Sequence, residues 1–398
     1  MAMGVFSHEA REKALRLLRA RGVTSISKVL RGFDEEAMRA AERLGLGSAL
    51  GSASYVQVNE EIVKTLMERR LRSLGVVVLP LRDALEKYSW AREYYWRALP
   101  VDSDVYTALV EAYGEGKGYF VYVPPGTRVH QPIYVCLLVT ASGETQLLHN
   151  IVVLGKGAEA TIITGCGASH GAGRVAHIGA TEIYLGEDAS LNYVMIHSWT
   201  RGSEVRPRTS IVLEKGARYT EYYLSYGGVG VLESRVWARL GSSARLYSAS
   251  VIVAEEGSSY TIGSKAVLLG EESSAELVSR IIGREGSKAV NKAIIEAHAP
   301  RARGHIECQA LPLGRRAVIE TVPVLRSYAE GAELSHEAAI GRLNEEELAY
   351  LMARGLDEDQ ARAILLRGFI HVDVPGLPES IKRLVESVEK TLAEKHAL

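Results

Sequence analysis

The sequence predicts a mainly β protein with a β-helix-like solenoid core and helical ends. Residues 119–343 alternate like strands, with almost no helical periodicity, and are rich in Tyr, Val, Ile and Thr. Within them, a turn followed by a small residue recurs at about 14 residues or twice that spacing. Helical patterns are confined to the two ends of the chain, where a solenoid needs caps.

Composition limits the classes of function. The chain has 398 residues, of which 47% are hydrophobic and 24% charged, and its net charge is −1. That balance is typical of a soluble globular protein and argues against a nucleic-acid partner. Cys136, Cys166 and Cys308 are too few for a disulfide framework, and no apolar run is long enough to span a membrane. We therefore expect a cytoplasmic protein with free thiols and no membrane association.

The N-terminal block reads as three helices followed by mixed elements. A basic first helix is predicted before residue 23, a second helix opens at the N-cap Asp34, and a third runs from Asn59 to Gly75. Gly75–Gly116 then predicts a strand, a short helix, a Pro-marked loop and another helix. The basic face of the first helix is interpreted as solvated.

The β core carries an internal repeat. Each unit has an apolar strand, a turn of Gly, Glu, Lys or Ser, a small residue and a second alternating strand. The small residues are Ala158, Ala189, Ala217, Ala244, Ser258, Ser274 and Ser287. Two units make about 28 residues, which predicts the length of one coil. Missing crossover helices argue against a doubly wound sheet, and a β-sandwich is the competing all-β architecture.

The C-terminal block is strongly helical. Asn344 with Glu347, and Asp357 with Gln360, have the spacing of capping boxes. The predicted apolar faces comprise Ala361, Ile364 and Leu365 on one helix and Ile381, Leu384, Val385, Val388 and Leu392 on the last one. These faces close the core or dock a partner.

Two residues of metal-ligand type lie near the junction of strands and helices. A thiolate such as that of Cys308 binds iron–sulfur clusters and soft metals. His336 follows 28 residues after Cys308, about one coil later, and Glu337 is the next residue. The two neighbourhoods are therefore predicted to stack, or to meet across a subunit interface. The alternatives are a buried hydrophobic role for Cys308 and a packing or capping role for His336.

Two further motifs suggest chemistry. Cys166 ends a strand before a Gly-rich turn and is a candidate persulfide relay, with core packing as the alternative. Gly167–Gly171 matches the G-x-S-x-G nucleophile elbow, which would place a nucleophile at Ser169, but the following sequence does not predict a helix. A β-solenoid hydrolase or lyase using Ser169, or carboxylates in a groove, is therefore a weaker alternative. No nucleotide-binding fingerprint is complete.

Three segments resemble a known family. ELSHEAAIGRLNEEELAYLMARGLDEDQARAILLRGF resembles the C-terminal signature of the SufB/SufD family, scaffold components of the SUF iron–sulfur cluster assembly system. FVYVPPGTRVHQPIYV and LLHNIVVLGKGAEATIITGC resemble core segments of the family in the same order. The resemblance implies a right-handed parallel β-helix at residues 119–343, between helical domains at residues 1–118 and 344–398. It also implies a scaffold, not an enzyme, that forms a nascent cluster at a dimer interface.

The resemblance assigns roles to individual residues. Cys308 matches the SufB cysteine proposed as a ligand of the nascent cluster, and His336 matches a histidine used as a ligand across the dimer interface. Glu337 matches a neighbouring SufB glutamate, and Cys166 matches the cysteine linked to sulfur entry. SufD-type members typically lack the cysteine that Cys308 matches. The presence of Cys308 therefore predicts that the chain is SufB-like. A SufD-like structural partner without its own cluster site is the alternative.

The resemblance also implies partners. A SufC-type ATPase is expected to dock on the C-terminal helices and to reshape a homodimer or a SufB/SufD-type heterodimer. The predicted docking residues are Asn344, Glu347, Leu351, Arg354, Asp357, Arg362 and Leu366. A sulfur donor protein is a further expected partner. The implied cofactor is a transient iron–sulfur cluster, and the chain is expected to have no nucleotide site of its own.

Overall fold

The computed structural model describes residues 8–20, 55–59, 61–65, 69–140, 143–169 and 172–397. They form a mostly parallel β-solenoid of about seven turns, with a few helices near both ends. The predicted fold class is confirmed. The division into three domains at residues 118 and 343 stays a prediction, and strands before residue 119 also join the sheet.

Eighteen strands of the described residues form one continuous sheet. They are β1 (Tyr55–Val58), β2 (Glu61–Thr65), β3 (Val77–Pro80), β4 (Tyr119–Val123), β5 (Ile133–Val139), β6 (Thr145–Leu154), β7 (Glu159–Ala168), β8 (Ala176–Leu185), β9 (Ser190–Val205), β10 (Arg208–Leu213), β11 (Arg218–Leu240), β12 (Arg245–Ala254), β13 (Ser259–Leu268), β14 (Ser274–Gly283), β15 (Lys288–Ala297), β16 (Arg303–Pro312), β17 (Val318–Ser327) and β18 (Glu333–Ile340).

The helices lie before β4 and after β18. They are α1 (His8–Ala20), α2 (Arg69–Ser73), α3 (Leu81–Lys87), a 3₁₀ helix (Ser89–Tyr94), α4 (Val105–Tyr113), α5 (Glu345–Ala353), α6 (Glu358–Ile370) and α7 (Glu379–Ala397). No helix in the described part of the chain is both long enough and apolar enough to cross a lipid bilayer.

The solenoid has two sides, because each coil contributes two strands. Side A comprises β4, β6, β8, β10, β13, β15 and β17, and side B comprises β1, β5, β7, β12, β14, β16 and β18. The long strands β9 and β11 bend from side B to side A. Paired positions on neighbouring coils are 27 to 31 residues apart, as in Arg208 with Arg235 and Glu159 with Ser190. The predicted coil of about 28 residues is confirmed.

A small buried residue follows most turns because the chain reverses there against the next coil. Ala158 and Ala189 are fully buried, and each donates its backbone N–H to the carbonyl three residues earlier. The residue before them, Gly157 or Asp188, has a positive φ. The predicted position Ser274 is wrong by one residue. Leu269 lengthens that turn, so Ser273 is the buried residue and Ser274 begins β14.

The main core lies between the two sides. Inward-facing side chains of both sides form one continuous apolar cluster, which includes Ile162, Ile252 and Ile306. Helix α7 covers the outer face of side B, and the N-terminal helices cover part of the outer face of side A. The predicted apolar face of the last helix is confirmed, since Ile381 and Val385 are buried within the cluster under α7.

The predicted helix from Asn59 to Gly75 is wrong. Its first half contains strand β2, antiparallel to β1, and among the residues of this segment that the structure describes only Arg69–Ser73 is helical. Asn59 sits in the intervening turn with a φ of 55°, and its amide side chain donates to Thr140 Oγ1 at 2.9 Å. Pairing of β1 with β5 therefore overrides the local helical pattern. The predicted first helix is confirmed as α1, and the second, from Asp34, lies outside the described residues.

Both predicted C-terminal N-caps are confirmed, and the predicted reciprocal capping box is found on α6 but not on α5. The Asn344 side chain accepts hydrogen bonds from two backbone N–H groups at the start of α5. Asp357 and Gln360 form a reciprocal capping box on α6. The predicted apolar face of α6 is partly wrong, because Ile364 is 48% exposed. Ala361 is buried as expected, and Leu366 and Ile370 complete the face that packs toward the solenoid.

Candidate functional site

Cys308 lies on the inner face of β16, near the C-terminal end of the solenoid. Alternation along β16 sends Cys308 inward with Ile306 and Ala310, and sends Glu307 and Gln309 outward. The thiol residue is 1% exposed. The structure therefore places the predicted ligand inside the coil, one strand away from the last one.

The thiol of Cys308 contacts two polar side chains, one on the opposite side of the solenoid and one on the neighbouring strand of the same side. Asn291, on β15 of side A, donates its amide Nδ2 to Cys308 Sγ at 3.4 Å and to Ser279 Oγ at 2.8 Å. Burial raises the pKa of the Cys308 thiol, and hydrogen bonds from Ser279 and Asn291 oppose that rise. In this conformation the thiol is neutral, but it already has donors that can stabilise a thiolate.

His336 lies on the same face of the solenoid as Cys308. It pairs with Ile306, whose side chain points inward, while Cys308 pairs with Ala338. Strand spacing and rise put the Cα atoms of Cys308 and His336 about 8 Å apart. His336 is exposed because β18 is the last described strand of side B and nothing described covers it.

The structure does not bring Glu337 to the thiol. Glu337 pairs with Glu307, and both belong to the outer face of side B. There Arg280 donates to Glu307 Oε1 at 2.7 Å, and Gln309 donates to the same oxygen at 2.9 Å. Within one chain, the pleat of β18 separates Glu337 from His336 and from Cys308.

The C-terminal end of the solenoid is open. Strands β17 and β18 are exposed or half-buried along their length, and β18 pairs only with β16 among the described strands. Val318, Tyr328 and Ile340 are large apolar residues exposed at this end. An open strand edge with exposed apolar side chains is typical of an interface with another chain.

Cys166 lies on the inner face of β7, toward the other end of the interior. It pairs with His197 of β9, and burial raises the pKa of its thiol well above the ordinary value. The hydroxyl of Tyr223 lies 3.1 Å from His197 Nδ1, while His197 Nε2 is buried without a hydrogen-bond partner. The candidate relay thiol therefore borders a buried polar cluster.

An internal cavity of about 50 Å³ lies between the two cysteines. Its polar lining includes Tyr223, which contacts His197 beside Cys166, and Ser279 and Asn291, which contact Cys308. The cysteines lie on side B, five strands apart, a distance of about 24 Å from strand spacing. The cavity therefore places polar side chains inside the coil between the two predicted sites.

The interior polar partners of both thiols are not predicted by the sequence. Asn291, Ser279, His197 and Tyr223 are ordinary members of alternating strands, and their inward orientation depends on the strand register. The available signal was a polar residue at an otherwise apolar alternating position, as at Ser279 in SAELVSRIIG. That signal is weak without the coil register.

The hydrolase alternative receives no structural support. Ser169 is fully buried, β7 ends at Ala168, and the next described element is β8, a strand. A nucleophile elbow needs a helix after the serine to expose its hydroxyl. Cys136 is buried on the outer face of β5, in the cluster beneath α7, in agreement with the core position predicted for it.

The predicted docking residues fall mostly on exposed helix surfaces. Those exposed or half-buried on α5, on α6 and at their caps are Asn344, Glu347, Leu351, Arg354, Asp357 and Arg362. Helix α5 has no buried residue at all. Leu366 is the exception: it is buried in the core toward the solenoid, so its side chain is not presented to a partner.

The family models and the similar proteins that this chain matches all belong to one family. Residues 137–369 match the model of the SUF system FeS cluster assembly SufBD core domain, and residues 48–135 match that of the SufBD protein N-terminal region. The chain is 39% identical over 322 residues to an iron–sulfur cluster assembly SufBD family protein of Archaeoglobus fulgidus, covering 80% of this chain and 86% of that protein.

Two further relatives carry the same family description. One, from Methanothermobacter thermautotrophicus, is 35% identical over 334 residues, covering 83% of this chain and 80% of that protein. The other, from Pyrococcus horikoshii, is 29% identical over 338 residues, covering 83% of this chain and 75% of that protein. The similarity therefore extends through the solenoid and the first C-terminal helices.

Proposed function

This chain belongs to the SufBD family of iron–sulfur cluster assembly proteins, and from that premise we propose that it is a SufB-like cytoplasmic scaffold. On this proposal a nascent cluster is built on Cys308 and His336, and the chain works with a SufC-type ATPase instead of catalysing a reaction itself. The observation that carries the proposal is that Cys308 and His336 share one face at the open end of the solenoid.

The ligand chemistry fits a site in which the thiol of Cys308 becomes a metal ligand only when the end of the solenoid opens. Iron takes a thiol as thiolate, so binding at Cys308 releases a proton. Asn291 and Ser279 are placed to stabilise the thiolate that forms, and His336 supplies an exposed imidazole. Glu337, on the opposite face, is proposed to serve the matching site of a second copy or to accept protons there.

Access to Cys308 requires movement of the last coil, and the chain offers a direct connection for it. Strand β18 ends at Ile340, and α5 begins at Glu345, only a few residues later. We propose that an ATPase docked on α5 and α6 pulls on β18 and so uncovers the thiol. A second SufBD chain at the open end would complete the ligand set, as a homodimer or a heterodimer.

Sulfur is proposed to enter at Cys166. A donor protein's persulfide transfers its outer sulfur to the Cys166 thiolate, which becomes a persulfide while the donor keeps a thiolate. The polar cavity lined by Glu221 and Asn291 is the proposed route toward Cys308. Conversion of each such sulfur to sulfide takes two electrons from a reductant outside this chain.

Anaerobic reconstitution with ferrous iron and sulfide tests the assignment of Cys308. We expect cluster absorbance in the wild type and in Cys136→Ala, a matched control at another buried thiol, and its loss in Cys308→Ala. Cys166→Ala is expected to keep the cluster with inorganic sulfide and to lose it with a persulfide donor. Equal absorbance in wild type and Cys308→Ala would remove the site assignment.

The second candidate is a SufD-like structural partner, and the burial of Cys308 favours it. On this alternative Cys308 packs the core and the cluster forms on another chain. Affinity purification from the native cell separates the two: recovery of a second, cysteine-bearing SufBD paralogue, with unchanged reconstitution of Cys308→Ala, supports the structural role.

A further inference from the structure

A groove of about 930 Å³ crosses the outer face of side B, near the start of its strands. One end reaches Ser335 on β18, and the other reaches Ser190 and Asn192 on β9. Arg218 and Arg245, which begin β11 and β12, line the groove next to β9. The loop that carries Pro375 and Gly376, between α6 and α7, forms one wall.

Arg218 and Arg245 are direct neighbours in the strand register. They pair on adjacent parallel strands, so their side chains leave the same face with backbones about 4.8 Å apart. Like charges placed directly opposite each other destabilise a sheet. An anion bound between these two adjacent guanidinium groups on the groove wall would therefore reduce their mutual repulsion.

Other arginines at the same corner of the solenoid have such a counter-charge within the chain. Arg128 forms an ion pair with Glu159 at 3.2 Å, and Arg303 forms one with Glu333 at 3.3 Å, each with the next coil. Neither Arg218 nor Arg245 has an ion pair with any residue that the structure describes. On the next coil, the residue paired with Arg245 is Ser274, which carries no charge.

The rest of the groove near the two arginines is preformed and carries hydrogen-bonding groups. Tyr247 donates its hydroxyl to the carbonyl of Asp373 at 3.4 Å, and Asn192 donates its amide to the carbonyl of Gly376 at 3.2 Å. These bonds fix the loop that forms the wall. Thr220 and Ser274 add hydroxyl groups beside the arginines.

We propose that Arg218 and Arg245 form a binding site for a small molecule that carries a diphosphate group. Each guanidinium can hold one phosphate in bidentate fashion, and two long side chains that leave adjacent strands on the same face can converge on the two phosphates of one ligand. A groove of this size suits a ligand of nucleotide dimensions. Glu276 lies one strand over from Arg245 and two residues further along, and Glu333 pairs with Arg303, so the anion-binding part of the groove is confined to the two arginines, which disfavours an extended acidic peptide. The site is independent of the cluster chemistry.

Calorimetric titration of the full chain with pyrophosphate tests the site. We expect saturable binding with one equivalent, and at least a roughly tenfold weaker affinity in Arg218→Gln/Arg245→Gln, because both bidentate contacts are lost. The single variant Arg245→Gln should fall between the two. Arg301→Gln/Arg316→Gln is the matched control: both arginines are exposed, and they pair with glutamates away from the groove.

Further titrations identify the recognised group. Equal affinity for pyrophosphate and ADP, with weaker binding of inorganic phosphate, supports recognition of a diphosphate. Unchanged affinity in the double variant overturns the proposal, as does a wild type that does not saturate at millimolar pyrophosphate. Binding of a glutamate-rich peptide in preference to pyrophosphate also overturns it.

Discussion

Cys308 and His336 share a face of the solenoid but have opposite environments. The thiol is covered and neutral, with its pKa raised by burial, while the imidazole one strand away is open to solvent. A cysteine ligand that is protected until the last coil moves resists oxidation and premature metal binding, since the thiolate is the reactive form. On the proposed function, the opening of β18 controls reactivity as well as access.

His177 shows how strongly the interior disfavours charge. It lies on the inner face of β8, its Nδ1 is 2.8 Å from Gln146 Oε1, and burial lowers its pKa to about 3. The unfolded chain, with an ordinary histidine pKa of about 6.5, therefore binds one more proton than the folded chain between these pH values. Stability is complete above pH 6.5 and falls as the pH drops toward 3.

We predict that His177→Gln makes the protein less sensitive to acid. Loss of this histidine removes an expected destabilisation of about 2 kcal/mol on going from pH 7.5 to pH 5. Urea unfolding of both proteins at the two pH values measures it, and the difference between pH values cancels any packing cost of the substitution. An identical pH dependence in wild type and variant would contradict a buried neutral His177.

At the scale of elements, the α5–α6 hairpin is attached but little buried. Helix α5 has no buried residue, and Tyr350, Met352 and Ile364 are large apolar side chains exposed on the hairpin. The buried residues of α6 face the core instead. Exposed apolar side chains on two neighbouring helices fit a protein-docking surface.

On the proposed function, Ile364→Asp is predicted to abolish association with a SufC-type ATPase without destabilising the fold. Ile364 is 48% exposed, so a charge there costs little in the isolated chain but is buried and unpaired in a complex. Co-purification of the two proteins and thermal melting measure both effects. Leu269→Asp, at a site 53% exposed on a distant turn, is the control that should keep the ATPase. Retained association in Ile364→Asp would exclude this face of α6.

At the scale of the whole molecule, the solenoid is asymmetric. Its N-terminal coils are covered by helices on side A, and α7 covers side B. The last coil has no comparable cover among the described residues, and its strands β17 and β18 are exposed. Solenoids need their ends capped, which favours a second chain at this end.

On the proposed function, in which a second SufBD chain covers the open end of the solenoid, Ile340→Asp is predicted to convert the dimer into a monomer. Ile340 is 50% exposed at the end of β18, and an aspartate buried in a dimer interface there would lack a partner. Light scattering coupled to size exclusion gives the mass of each variant. Leu269→Asp again serves as control and should keep the mass of the wild type. A dimeric Ile340→Asp would move the interface elsewhere.

Much of the fold could be predicted from local patterns of the sequence, namely strand alternation, recurring turns and helix caps. Alternation and recurring turns indicated the solenoid, because a stacked coil needs an inward apolar face and a reversal at each corner. The capping residues Asn344 and Asp357 were readable because caps depend on residues within one turn. The segment Asn59–Gly75 departs from the predicted helix because strand β2, which lies within it, pairs with β1. Strand β1 in turn pairs with the distant strand β5, and these pairings outweigh the local helical periodicity.

The sequence by itself determined the coil, the helical ends and the residue types available for ligation. Only the tertiary structure decided which of these meet: coils vary from 27 to 31 residues, so spacing alone does not fix the register. Register puts His336 beside Ile306 on the face of Cys308, turns Glu337 away, and stacks Arg218 on Arg245. The physical reason is the two-residue period of strands, where a shift of one residue sends every side chain to the opposite face.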